Sequence, residues 1–360
     1  MTMDPESIRT GERVPHGGDP DQSLLDFSAN TNPRTPDGVE SVYAEALEAS
    51  RRYPDDSYAD FRDAAAAFVG CEPAQIIPTP GGLAAIRLAM ELALEPGDDA
   101  LVPAPSFGEY AREVHLQGAT PQYIDADSLL EVETSLLESC ALAVVCTPNN
   151  PTGAAAEPDA LAAFAARCGD AETTLLVDEA FLGYTDLPSA AQLEHDHVIV
   201  ARSLTKLFGL PGLRAGFAVA RGDRRDDLEI ARRAWSLGTP AARLGAYCLR
   251  QNAFVRETRE RVTSERARVR EALETECGFD VHPSEAPYLL CDVGERSVTE
   301  ILASARDTGV VVRDATTFRG LESHIRVAIK DREANDQLLA ALETAMDVSG
   351  GTSNSSGGAD

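Results

Sequence analysis

Two stretches of helical period stand out in the first hundred residues. Residues 58–69 (YADFRDAAAAFV) and 82–94 (GLAAIRLAMELAL) space their apolar side chains three and four apart and consist largely of strong helix formers. The pattern then changes to short apolar runs: DALVP, CALAVVCT, TTLLVDEA, HVIVARSL and RAGFAVA. Such runs suit strands covered on both faces. The helical or loop stretches between them predict an α/β fold, a mostly parallel sheet with helices on both faces. From about 224 to 275 the chain is rich in Arg and Glu and reads as a long helical connection. Residues 278–345 hold PYLLCDV, GVVVRD and HIRVAI as strands with helices between them, a smaller α+β unit. Residues 1–30 are polar and end in one short strand at LLDFSAN.

This pattern divides the chain into four parts. An arm at 1–40 belongs partly to the small unit, a large domain spans 41–240, a small domain spans 241–346, and a tail follows at 347–360. The tail, VSGGTSNSSGGAD, has nothing to bury and is expected to be disordered. With 360 residues and 43% apolar composition, a large core is within reach.

Charge narrows the partners. Asp and Glu outnumber Lys and Arg by 59 to 32, a net charge of -27. A surface that acidic repels phosphate backbones and anionic lipid, so neither nucleic acid nor membrane is expected as a partner. Only two of the basic residues are lysines, Lys206 and Lys330. An acidic, lysine-poor surface suits a salt-rich cytoplasm, and it equally describes an ordinary acidic protein. The seven cysteines show no metal spacing and read as buried free thiols in a reducing compartment. No stretch reaches the ~20 apolar residues of a membrane span, and the opening MTMDPESIRT is no signal peptide. A cytoplasmic location is the expectation.

Chemistry-bearing residues fall, in order, at strand ends or in the loops that follow, where open α/β sheets bind ligands. In TPGGLAAIRLA, Gly81, Gly82 and Leu83 open a helix whose free N–H groups suit an anion. In PAPSFGEY, Phe107 can stack on a flat ring. In CTPNNPTG, Asn150 offers an amide to a phenolate oxygen. In LLVDEAF, a carboxylate at Asp178 needs a partner such as a protonated pyridine nitrogen. In ARSLTKLFGLPGLRAGF, Ser203, Thr205 and Arg214 suit a phosphate and surround Lys206, whose apolar flank would lower its pKa. Lys330, in KDREAND, reads as a solvated surface residue.

Taken in order, these motifs resemble those of fold-type I pyridoxal-phosphate enzymes, the aspartate-aminotransferase fold, over nearly the whole chain. The resemblance implies that Lys206 holds the cofactor through its ε-amine, Asp178 pairs with the pyridine nitrogen and Asn150 binds the phenolic oxygen. It assigns the phosphate to Gly82, Ser203, Thr205 and Arg214, and the ring-stacking place to Phe107. Tyr53 in RRYPDD resembles a tyrosine that reaches the phosphate of a neighbouring subunit, which implies a homodimer. Arg326 in HIRVAI resembles the arginine that holds a substrate α-carboxylate. Phe181 departs from the pattern, because many aminotransferases place Tyr there, and the phenolic oxygen loses one donor.

Within the family, the chain resembles threonine-phosphate decarboxylases and histidinol-phosphate aminotransferases. The VPHGG and DFSANTNP segments, the DEAF form of the acid motif and the ending FRGLESHIRVAIKDREAND favour the decarboxylases. NPRTP, with Arg34, departs from their more usual NPLGP. The implied substrate is a small amino-acid phosphate, threonine phosphate, decarboxylated for cobalamin synthesis. His16 and Asn32 are expected to contact it. A histidinol-phosphate-type aminotransferase is the alternative, and a cofactor-sensing module without catalysis is a third.

Overall fold

The computed structural model of the chain describes residues 3–351, with side chains as far as Met346. The strands, in chain order, are β1 (Leu25–Asp26), β2 (Ile76–Thr79), β3 (Asp99–Ala104), β4 (Thr120–Asp125), β5 (Leu142–Cys146), β6 (Thr174–Asp178) and β7 (Val198–Ser203). There follow β8 (Gly216–Val219), β9 (Asp280–Val281), β10 (Tyr288–Asp292), β11 (Val310–Val311), β12 (Arg313–Asp314) and β13 (His324–Ala328). β2 through β8 form one seven-stranded sheet in the order β2-β8-β7-β6-β5-β3-β4. β8 alone runs against both of its neighbours, so the sheet is mostly parallel. β12-β13-β10-β9 make an antiparallel four-stranded sheet, and β1 pairs with β11 in parallel.

The five apolar runs became β3, β5, β6, β7 and β8 because they alternate between two buried faces. Leu101, Ala143, Val177 and Val200 enter one apolar cluster, and their neighbours Val102, Val144, Leu176 and Ile199 enter the other. β2 and β4 escape the apolar pattern. IIPT is short and ends in Pro-Thr, and TPQYID is an edge strand with Thr120, Tyr123 and Asp125 in water, where a Pro is tolerated. GVVVRD is not one strand. It breaks at Val312, giving β11 to the arm and β12 to the four-stranded sheet. The Arg/Glu-rich stretch holds three helices, Gly222–Ala231, Thr239–Leu249 and Asn252–Thr275. The middle one packs on the helices Val39–Ala49 and Ala59–Val69. We therefore place the boundary between the large and small units nearer 250 than 240. The last helix, Arg332–Gly351, runs into the segment expected to be disordered, and residues 352–360 lie outside the described part.

Six cysteines are buried and Cys71 is half-buried, all as free thiols. Among the described residues, no helix is long and apolar enough to cross a membrane.

At the end of β6 two acids meet different fates. Asp178 sits under the cleft, while the next side chain, Glu179, belongs to the interior. Glu179 is fully buried and accepts from Arg202 at 2.8 Å, from Ser189 Oγ at 2.6 Å and from the Ala190 N–H at 2.6 Å. Truncating one partner of such a pair strands the other charge, at a cost of about 3–5 kcal/mol. Glu179→Ala should therefore shift the denaturation midpoint of the protein well below wild type. A midpoint unchanged in urea titration would show that Arg202 finds another partner.

Candidate active site

The chain reverses its direction of travel across the sheet between β3 and β5, and a cleft opens at the carboxyl ends of β3, β5, β6 and β7. It has a volume of about 340 Å³ and brings together residues from distant parts of the sequence. Gly82, Leu83, Phe107, Asn150, Asp178, Ser203, Thr205, Lys206 and Arg214 all line it, with His16 from the arm and Arg326 from β13.

The amine of Lys206 lies above the sheet edge, and burial, with Arg326 and Arg214 nearby, pushes it down to about 8. Its loop is braced from behind. The Lys206 carbonyl accepts from the Tyr184 hydroxyl at 2.8 Å and from the backbone N–H of Asn32 at 3.1 Å. Asn32 is thus a correction to the sequence reading. Its side chain is buried away from the cleft, donating to the Leu207 carbonyl at 2.7 Å and accepting from Arg261 at 2.7 Å and from the N–H of Arg34 at 3.1 Å. With its amide fully used, it supports the lysine's loop and has nothing left for a substrate. Arg34 itself is exposed.

Asp178 is buried, and the loss of water pushes its carboxyl up, against the opposing bond from Tyr110. One oxygen accepts from the Tyr110 hydroxyl at 2.6 Å and the other from the Ala180 N–H at 2.9 Å. Asn150 turns its amide oxygen to Arg326, which leaves the amide nitrogen as the free donor. Arg326 is held at its other arm by the Ser28 carbonyl at 2.8 Å. Burial pushes this guanidinium down to about 10, and Arg313 adds to the effect.

An anion cradle closes one end of the cleft. The helix Gly82–Ala93 starts without a side-chain cap, so its first N–H groups are available. Ser203 Oγ and Thr205 Oγ1 stand 3.0 Å apart beside it, and Arg214 covers the approach. Gly81 is required here. Its φ is +96°, and an added Cβ would lie 2.6 Å from the Arg214 guanidinium.

At the other wall lies the arm. Gly17 touches the backbone of Ser28 so closely that a Cβ would come within 2.1 Å of its carbonyl oxygen. This contact seats His16, whose Nε2 lies 2.9 Å from Glu109 and whose ring lies 5.8 Å from that of Phe107.

Besides Asn32, one further candidate lies outside the cleft. Tyr53 is 80% exposed and stacks on Trp235 at 4.7 Å, beside a separate surface hollow that also includes Arg52 and Arg243. Lys330 corrects the sequence reading: it is half-buried, with its ammonium 5.5 Å from the centre of the Phe27 ring. Its ammonium lies over a ring at the base of the arm, which the charged residues after it did not suggest. Sequence reasoning also missed Tyr110, Glu109 and Arg313. Arg313 ends an apolar run, the same signal that marked Asp178.

Pyridoxal 5'-phosphate fits this cleft on its donors alone. A dianion suits the uncapped helix, the two hydroxyls and Arg214. A pyridinium suits a buried carboxylate with no cation bonded to it, and an aldehyde suits a desolvated amine. Cleft and sheet order together define a fold-type I pyridoxal-phosphate enzyme, working as a decarboxylase or an aminotransferase. The chain belongs to the aminotransferase class I and II family, whose sequence profile matches residues 21–342. It is 30% identical to histidinol-phosphate aminotransferase 2 of Archaeoglobus fulgidus, over 90% of this chain and 93% of that one. It is 32% identical to threonine-phosphate decarboxylase of Salmonella typhimurium, over 92% and 93%. Its fold matches the crystal structure of histidinol-phosphate aminotransferase from Sinorhizobium meliloti in complex with pyridoxal-5'-phosphate. That match has a TM-score of 0.85 and 19% identity, over 96% of this chain and 98% of the other.

The depressed amine gives a signed pH test. Only the unprotonated amine attacks the aldehyde, so cofactor uptake by apoprotein should rise about tenfold per pH unit at first. It should level off near about 8. Uptake that keeps rising to pH 10 would indicate an ordinary, solvated lysine. Borohydride should then fix the label on Lys206 and leave Lys330 free.

Proposed function

We propose that this enzyme decarboxylates L-threonine O-3-phosphate to (R)-1-aminopropan-2-yl phosphate, as in cobalamin synthesis. One observation carries the reading: Arg313 and Arg326 stand directly opposite each other on β12 and β13, and both line the cleft. Like charges in facing positions repel, so an anion between them relieves the strain. Threonine phosphate carries a carboxylate and a phosphate on adjacent carbons, which suits two arginines on adjacent strands. Arg326 would take the carboxylate and Arg313 the phosphate. Arg313 is also fixed for this, donating to the Pro15 carbonyl at 2.8 Å and to Thr317 at 2.9 Å. His16 stands on the arm beside it. Histidinol phosphate has no carboxylate and would engage the pair with one anion only.

When bound, the cofactor serves as an electron sink for the bond broken at the substrate's Cα. The chain's residues would do the rest. Asp178 holds the proton on the ring nitrogen, and Asn150 donates to the phenolic oxygen. Arg326 is already tied to Asn150 and Ser28, so its remaining N–H groups orient the carboxylate without enclosing it. Lys206, displaced by the substrate amine, would take up the proton that amine loses and, as the acid near Cα, deliver it there once CO₂ has left.

We also propose a homodimer. Tyr53 and Trp235 are 80% and 51% exposed, and Tyr43 and Leu47 nearby in sequence are exposed as well. Arg214, which covers the cradle, is itself exposed, and Tyr53 of a second copy would complete that wall. Sizing in high salt should give a dimer, and Tyr53→Ala should weaken retention of the cofactor. A fully active monomer would refute this.

Threonine phosphate should release CO₂ and leave little pyridoxamine phosphate behind. Arg313→Ala and His16→Ala should each lower the efficiency about ten- to a hundredfold, the worth of one charged hydrogen bond. The visible cofactor band should stay intact. Rapid formation of pyridoxamine phosphate with histidinol phosphate or glutamate, and no CO₂, would make the enzyme an aminotransferase.

A further inference from the structure

We infer that Tyr110 is a positioning residue that fixes the charge of Asp178 and, through it, the proton on the cofactor's ring nitrogen. This rests on the proposed pairing of Asp178 with that nitrogen. Tyr110 is fully buried on the helix Glu109–Leu116, which follows β3, and its ring meets Phe107 edge-on at 5.6 Å. Its hydroxyl reaches across the cleft floor to Asp178 at 2.6 Å.

The surroundings leave Asp178 few other supports. Glu179 is committed to Arg202, Ser189 and Ala190. Cys146 on β5 is kept as a thiol by burial, and the hydroxyl of Tyr288 on β10 is spent on the Asn149 carbonyl. Arg202 and Lys206 act on Asp178 only through space. Among the described residues, the bonds that hold its charge come from Tyr110 and the Ala180 N–H. Burial and the neighbouring acid both push the Tyr110 hydroxyl far up, so it keeps its proton and can donate to the carboxylate. A carboxylate has about four acceptor sites. Two are used here, which leaves room for a ring N–H.

The other end of the ring makes this bond matter more. Phe181 is buried, edge-on to Tyr288 at 5.0 Å, and brings no hydroxyl to the phenolic side. Control of the cofactor's charge then falls on the nitrogen end, where Tyr110 acts at one remove.

The test is a pH titration of the visible band in the holoenzyme, with steady-state kinetics alongside. In Tyr110→Phe, Asp178 should take a proton more readily and the ring nitrogen should lose its positive charge. The cofactor's bond to Lys206 then keeps its own proton longer. The band's midpoint should rise by about one pH unit, and kcat should fall about tenfold with KM little changed. Placing 3-fluorotyrosine at 110, a stronger donor of nearly the same size, should hold the midpoint at or below the wild-type value. If Tyr110→Phe titrates like wild type while Asp178→Asn does not, Tyr110 is merely structural and the inference falls. If Asp178→Asn also titrates like wild type, the pairing of Asp178 with the ring is itself wrong. Should Tyr110→Phe fail to fold, a midpoint raised by fluorotyrosine overturns the proposal.

Discussion

A carboxylate buried at the end of an apolar strand, with no cation bonded to it, sets the terms for the rest of the cleft. Asp178 has given up its water, and two neutral donors only partly replace it. Left alone, such a group gains a proton. A protonated pyridine nitrogen would supply the missing charge, and the Asp178 geometry therefore makes little sense without the cofactor. The same loss of water lowers the Lys206 amine, aided by Arg326 and Arg214. One dry sheet edge thus stabilises opposite departures in an acid and a base. It does so because burial penalises charge of either sign.

The strand that carries Asp178 also shows how tightly the site is joined to the core. Successive side chains on a strand face opposite ways. Asp178 therefore meets the cleft, and Glu179 meets Arg202 and the buried loop at Ser189. The arm is joined in a similar way. Gly17 lies on Ser28, the Ser28 carbonyl anchors Arg326, and Arg326 sets the Asn150 amide. A contact made by the arm is therefore transmitted to the residue expected at the phenolic oxygen without any long-range mechanism.

Much of this was legible in the sequence. Apolar runs buried on both faces announce themselves, so β3 and β5 to β8 were readable, as was the chemistry at their ends. Where the reading failed, polar side chains did structural work. Asn32 looks like a ligand-binding residue but spends its hydrogen bonds on the loop of Lys206, on Arg34 and on Arg261. Lys330 sits in a charged run yet covers Phe27. The break in GVVVRD was invisible because both halves are good strand sequence, and only the partners β1 and β13 distinguish them. Tyr110 reads as core because it is core, with a single polar atom aimed at Asp178.

The break at Val312 has a consequence for the substrate. Had GVVVRD continued as one strand beside β1, Arg313 would have left the neighbourhood of Arg326. Changing sheets at Val312 brings the two guanidinium groups into register on β12 and β13. Their mutual repulsion is one reason that Arg326 is pushed down to about 10. A fold that brings two cations together and then ties each to a neighbouring carbonyl maintains a standing demand for anionic charge. A single carboxylate meets half of that demand, whereas a phosphate and a carboxylate on neighbouring carbons meet it in full. On the proposed reading, the register of two short strands, more than any one residue, is what would select for an amino-acid phosphate.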